Sequence, residues 1–210
     1  QHFETNEVES IVGIVNGTTN FILSSMEKEG LSYEAALKIA QEKGFAEADP
    51  TSDVEGHDAA YKLMILTRLA FGVNVTFDEV AKTGISKVTT PHMKMASEHG
   101  YAIKLLAKAL SDGEKFSLEV APTFVPANHL LAQVHYENNA ISVTGNAVDE
   151  VLFYGKGAGS LPTATSVLAD VVEVLRRKVN GSAVETFGRV ESPLVEFNPE
   201  AATSSYFVYG

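Results

Sequence analysis

Near Lys115 the apolar pattern of this 210-residue chain changes period, and that change limits the folds open to it. Upstream, after a β-branched run at residues 10–15, apolar residues recur three and four apart: Phe21, Ile22 and Met26, then Ala36, Leu37, Ile39 and Ala40. Downstream, Phe116, Leu118, Val120 and Pro122 alternate, and residues 140–146 and 150–154 read as further strands of an antiparallel sheet. One closing helix is expected from about Pro162 to Val179, with a proline near its first position. Helices first, strands later and a single helix at the end describe an α+β domain, a mostly antiparallel or mixed sheet covered by helices, rather than a doubly wound sheet.

Small polar residues punctuate the first half. Residues 16–20 suit a turn and helix cap, and that helix ends at Gly30. A second helix, with Glu34 in its first turn, runs to Gly44. A third is expected to start at Asp53 as N-cap and to close at Gly72. Residues 101–110 fit strand or helix, and the spacing of Ile103, Leu106, Ala107 and Leu110 favours helix. Residues 1–190 are read as one domain. Residues 191–210, with Pro193 and Pro199, are read as a linker or the start of a truncated further domain.

Charge and composition exclude several functions. Sixteen basic against 27 acidic residues give a formal charge of −11, unsuited to nucleic acid. The absence of cysteine removes disulfides and thiolate chemistry, and it fits a reducing cytoplasm. No apolar run approaches the roughly 18 residues of a membrane helix, since Leu63 to Val75 is broken by Arg68 and Gly72. The first ten residues are polar and acidic rather than a secretory signal. Because it begins at Gln1 without methionine, the chain reads as a piece of something longer.

Residues 40–62 concentrate the chemistry. Asp58 and Lys62 are four apart on one helix face, which continues through Ile65, Leu66 and Leu69. An apolar stripe below a charged pair implies a helix buried on most sides and a lysine turned toward a pocket. Two readings stand: a structural ion pair, or Lys62 as general acid/base with Asp58 orienting it. Gly56, in the expected first turn, fits a close approach by backbone or ligand, or a tolerated imperfection. Glu47, Asp49 and Asp53 precede the helix, and carboxylates converging on one lysine suit a small ligand carrying an ammonium group. No metal is expected, because Asp49-x-x-x-Asp53 lacks the spacing and glycine of a calcium loop. Lys156, between two glycines, fits either a phosphate contact or a solvated turn.

The motif Ala40-xxx-Gly44-Phe-Ala-xx-Asp49-Pro50-xx-Asp53-Val-x-Gly56-x-Asp58-xxx-Lys62 resembles the signature of homoserine dehydrogenases. Residues 13–23 resemble the segment opening that family's substrate domain, and residues 155–164 its closing cofactor-contact turn. The resemblance spans roughly residues 8 to 180 in three ordered blocks. It implies that Lys62 exchanges a proton with the substrate oxygen beside Asp58, and that Glu47, Asp53 and Thr18 bind the substrate. It further implies that Gly157, Ala158 and Gly159 meet a nicotinamide cofactor, NAD or NADP. Phe45 stands where some members carry tyrosine, so a hydroxyl contact is lost there. The implied reaction interconverts L-aspartate 4-semialdehyde and L-homoserine on the route to threonine, methionine and isoleucine. A cytoplasmic homodimer, assembled through the sheet, is implied with it.

The family's dinucleotide-binding half has no counterpart here. Gly155-x-Gly157-x-Gly159 is followed by Ser160 and is not the dinucleotide fingerprint. The chain alone is therefore expected to be inactive, with most cofactor contacts, a second lysine and a monovalent-cation site lying in the absent half. The rival reading is a non-catalytic module that senses an amino acid with the same acidic pocket. Such a sensor tolerates Lys62→Ala, whereas the enzyme does not.

Overall fold

The structure, a computed structural model, describes residues 6–112, 115–181 and 196–197. β1 (Val8–Ile14) leads to Asn16, whose side chain accepts a hydrogen bond from the Thr19 amide and caps α1 (Gly17–Glu29). Ser32 caps α2 (Tyr33–Glu42) in the same way, through the Ala35 amide. The short α3 (Thr51–Val54) and the long α4 (His57–Phe71) follow. Next come β2 (Ala81–Lys82), α5 (Thr90–Glu98) and the long strands β3 (Tyr101–Ser111) and β4 (Lys115–Pro126). A 3-10 turn at Leu130–Gln133 separates these from β5 (Asn138–Gly145), β6 (Asp149–Lys156), α6 (Ser160–Val179) and β7 (Glu196–Phe197).

The expected α+β class holds. The sheet runs β2-β4-β3-β1-β5-β6, with β7 also on β4. The β4-β3-β1-β5-β6 core is antiparallel, and the two-residue β2 and β7 pair with β4 in parallel. Helices cover one face. Ile103, Leu105, Ala107 and Ala109 of β3 join Phe21, Ile22, Leu23, Leu63 and Met93 in the main core. The alternate residues Ala102 and Leu106 point to the other face, where Leu131, Ala132 and Val134 cover only part of the sheet. Lys108, in register beside Leu106, pairs there with Glu119 across β3 and β4 at 2.6 Å.

Residues 101–110 form a strand, not the helix that their spacing favoured. A strand flanked by β1 and β4 is buried on both faces, so its apolar run loses the alternation that marks a half-exposed strand. Ile103, Leu106 and Leu110 fall at helical spacing by coincidence. No residue of α6 is buried, and Leu161 at its start is 78% exposed. Among the described residues no helix is long and apolar enough to cross a membrane. Of residues 191–210, where a linker or the start of a further domain is expected, only Glu196–Phe197 are described, as β7 beside β4, and residues 182–195 and 198–210 lie outside the described residues.

Candidate active site

Lys62 reaches from α4 to the end of β1. Its Nζ donates to Asp58 Oδ2 at 2.8 Å and to the Val15 carbonyl at 3.0 Å. The side chain is nevertheless 45% exposed, so the expected buried lysine is half-open instead. The face that carries it is open as well: Ile65 is 60% and Leu69 62% exposed. α4 packs inward through Ala59, Ala60, Leu63 and Thr67, whose small members let the helix approach the sheet. The apolar stripe below Lys62 is thus surface rather than core.

Asp53 does not cap α4. It sits inside α3, and the residue before His57 is Gly56, in the left-handed region at φ 80°. A Cβ built on Gly56 would lie 3.1 Å from Val120 Cγ1 of β4, so the glycine answers a close approach of the chain to the sheet. With the helix start broken there, Asp53 is freed for another partner. Its Oδ1 accepts from Asn16 Nδ2 at 2.7 Å, and the same nitrogen donates to Asp58 Oδ2 at 2.8 Å. Asp49 steadies the start of α3 instead, accepting from the Thr51 amide (3.1 Å) and hydroxyl (2.6 Å). Those bonds hold its carboxyl below the usual carboxylate range.

Thr18 lies in the first turn of α1, and Glu47 lies on the loop that follows α2. Thr18 Oγ1 donates to the Phe45 carbonyl at 2.6 Å, which ties α1 to residues 43–50. The Phe45 ring packs on Phe21 with centroids 4.9 Å apart. Glu47 is exposed on this loop, and its carboxylate has no hydrogen bond or ion pair among the described residues. Its backbone carbonyl accepts from Gln41 Nε2 at 3.0 Å.

On the other side of Lys62 lies a pocket of about 220 Å³ lined by Val15, Lys62, Ile65, Leu66, Asn139, Ile141 and Gly157. Its walls are apolar and its polar groups few, which suits a flat ring with apolar faces. Gly157 packs so close to Asn139 that a Cβ there would stand 2.1 Å from Asn139 Nδ2. Asn139 Oδ1 is buried without a hydrogen-bond partner. Ala158 and Gly159 continue from Gly157 to the start of α6. Lys156 pairs with Glu137 at 3.1 Å, which accounts for it as a surface charge that steadies the turn.

Sequence reasoning missed three groups. Asn16 reads as a helix cap, a role that conceals its second set of bonds. Asn139 sits in a strand among polar residues and carries no spacing signal. Lys104 is fully buried in β3; its Nζ donates to the Val134 carbonyl at 2.6 Å and to Asn20 Oδ1 at 3.4 Å. Burial pulls its pKa down to about 8, while Glu27 opposes and Lys28 adds to the shift. Asn20 Nδ2 in turn donates to the carbonyls of Val134, Tyr136 and Asn138, so it fixes the approach to Asn139.

A family model described as homoserine dehydrogenase matches residues 1–172. The homoserine dehydrogenase of Bacillus subtilis is 47% identical over 202 residues, covering 96% of this chain and 46% of that protein. That of Lactococcus lactis is 38% identical over 205 residues, covering 98% and 48%. The chain thus spans about half the length of the curated relatives it matches. A crystal structure of a homoserine dehydrogenase from Thiobacillus denitrificans superposes with a TM-score of 0.90 at 40% identity, over 97% of this chain and 48% of that one. A hyperthermophilic archaeal homoserine dehydrogenase mutant in complex with NADPH superposes with a TM-score of 0.70 at 28% identity, over 84% and 50%.

Proposed function

We propose, from the premise that the chain belongs to the homoserine dehydrogenase family, that it supplies the substrate-binding half of an enzyme interconverting L-homoserine and L-aspartate 4-semialdehyde. The observation that carries this reading is the place of Lys62, with an acid pair on one side and an apolar pocket on the other. Asp53 and Asp58, with Glu47 on the adjoining loop, supply negative charge for the substrate ammonium. Lys62 handles the substrate oxygen. In the direction of reduction it gives up a proton as the carbonyl oxygen gains charge, and in the direction of oxidation it takes the hydroxyl proton. A positioned group of this kind typically contributes 10² to 10⁴-fold.

The pocket beside Gly157 fits a nicotinamide ring, because Val15, Ile65, Leu66 and Ile141 offer apolar walls to a flat ring and the glycine leaves the backbone bare. When bound, NAD or NADP supplies or accepts the hydride. Ile65, Leu66 and Ile141 keep water from the ring face, and Asn139 is the one uncharged polar side chain at its edge. Most of the dinucleotide is held by a dinucleotide-binding half outside these residues, which the open apolar faces of α4 and α6 are suited to meet. The sheet face that Leu131 and Ala132 cover only in part is the surface for a homodimer.

The test is a steady-state assay of the complete polypeptide that carries these residues together with its dinucleotide-binding half. Glu47→Ala should raise KM for homoserine roughly 10-fold or more, the effect of losing a charged contact, and leave KM for the dinucleotide unchanged. An unaltered homoserine KM would refute the assignment of the acidic side to the substrate.

A further inference from the structure

Asn16 is nine-tenths buried and holds four polar contacts through two atoms. Oδ1 accepts from the Thr19 amide at 2.9 Å and the Thr19 hydroxyl at 3.0 Å. Nδ2 donates to Asp53 Oδ1 at 2.7 Å and to Asp58 Oδ2 at 2.8 Å. The acceptor end is a helix cap. The donor end has nothing to do with capping, and it binds two acids from two different helices.

We propose that Asn16 is a positioning residue of the active site: its amide nitrogen clamps Asp53 and Asp58 side by side and so sets the place of Lys62. The inference rests on the function proposed above and names a residue that the cap reading would leave structural. Two carboxylates within reach of one nitrogen repel each other, and the NH2 group between them offsets that repulsion by giving one proton to each. Only one oxygen of each acid is used. Asp53 Oδ2 and Asp58 Oδ1 have no hydrogen-bond partner among the described residues, so the clamp leaves an acceptor pair for an ammonium group. Asp58 Oδ2 also receives Lys62 Nζ at 2.8 Å. An oxygen held between an amide and an ammonium cannot turn away, and the lysine is pinned between it and the Val15 carbonyl. Asn16 is the residue after Val15, so the carbonyl that holds the lysine and the amide that holds its carboxylate partner belong to one turn of chain at the end of β1.

Because cap and clamp use different atoms of one side chain, they can be separated. Asn16→Ser keeps a capping oxygen and loses the donor that reaches the acids. Asn16→Asp keeps the cap and adds a third carboxylate. Thr19→Val weakens the cap and leaves the clamp. In the complete polypeptide, Asn16→Ser should lower kcat/KM for homoserine roughly 10- to 100-fold, and Asn16→Asp more, with KM for the dinucleotide moved less than about 2-fold. Thr19→Val should lower the melting temperature and keep kcat. Equal kcat/KM for homoserine in wild type and Asn16→Ser would overturn the inference while leaving the proposed function standing. Absence of any homoserine oxidation by the wild type would overturn both.

A second measurement needs neither turnover nor substitution. In the 210-residue chain, both Asn16 side-chain amide protons should exchange slowly with solvent in NMR spectra, because each is bonded to a carboxylate. Rapid exchange of that NH2 group would contradict the clamp directly.

Discussion

Lys104 lies among Glu27, Lys28 and His135 with no charged partner in hydrogen-bond contact, and its ammonium is held by a carbonyl and an amide oxygen. Its pKa falls from 10.5 to about 8 on folding, and the sign of the consequence is fixed. Between those values the unfolded chain keeps a proton that the folded chain has released. Raising pH through that window therefore favours the folded state, by up to ~1.4 kcal/mol per pH unit. The unfolding free energy of wild type minus that of Lys104→Met should rise from pH 8 to pH 10.5, measured in urea. A constant difference would contradict the buried charge. The sequence could not announce this lysine, since a charged residue in an apolar run reads as a surface interruption. It does announce Lys62 and Asp58, whose spacing of four needs only a helix, and the helix is there. What that spacing could not convey is exposure: Ile65 and Leu69 look like core and are surface.

Single elements were legible where one force dominates. The cap among residues 16–20, at Asn16, and the stops at Gly30 and Gly72 follow from local backbone chemistry, and they fall where the residues place them. Residues 101–110 fit strand or helix on their pattern, with helix favoured, because burial on both faces erases the alternation from which a strand such as β3 is recognised. The start of α4 was misplaced for a related reason. The contact that makes Gly56 necessary is with Val120, far along the chain, and no local pattern encodes it. Gly56→Ala should cost about 1–3 kcal/mol, combining the left-handed backbone with pressure on Val120, as read from urea denaturation. A loss below about 0.5 kcal/mol would show that the close approach relaxes freely.

At the scale of the molecule, the apolar surface is unevenly distributed. Ile65 and Leu69 on α4 and Leu168, Leu175 and Val179 on α6 are exposed, whereas the helix-covered face of the sheet is closely packed. Large apolar side chains exposed at regular spacing along one helix, as Leu168, Leu175 and Val179 are on α6, mark an interaction site. The isolated chain should self-associate in sedimentation velocity, and Leu168→Glu with Leu175→Glu should suppress that with little change in melting temperature. A large fall in melting temperature would show that α6 is packed after all. The proposed division of labour, with most of the dinucleotide held by a separate half, predicts no homoserine oxidation by the same isolated chain.

The proposed function depends on Lys62 as the group that exchanges a proton with the substrate oxygen. The most direct measurement is the turnover of the complete polypeptide with saturating homoserine and dinucleotide, comparing wild type with Lys62→Ala. The expected result is a fall in kcat of roughly 10² to 10⁴-fold with homoserine still bound. A Lys62→Ala enzyme that turns over within a few-fold of wild type would contradict the account and leave Lys62 and Asp58 as a surface ion pair.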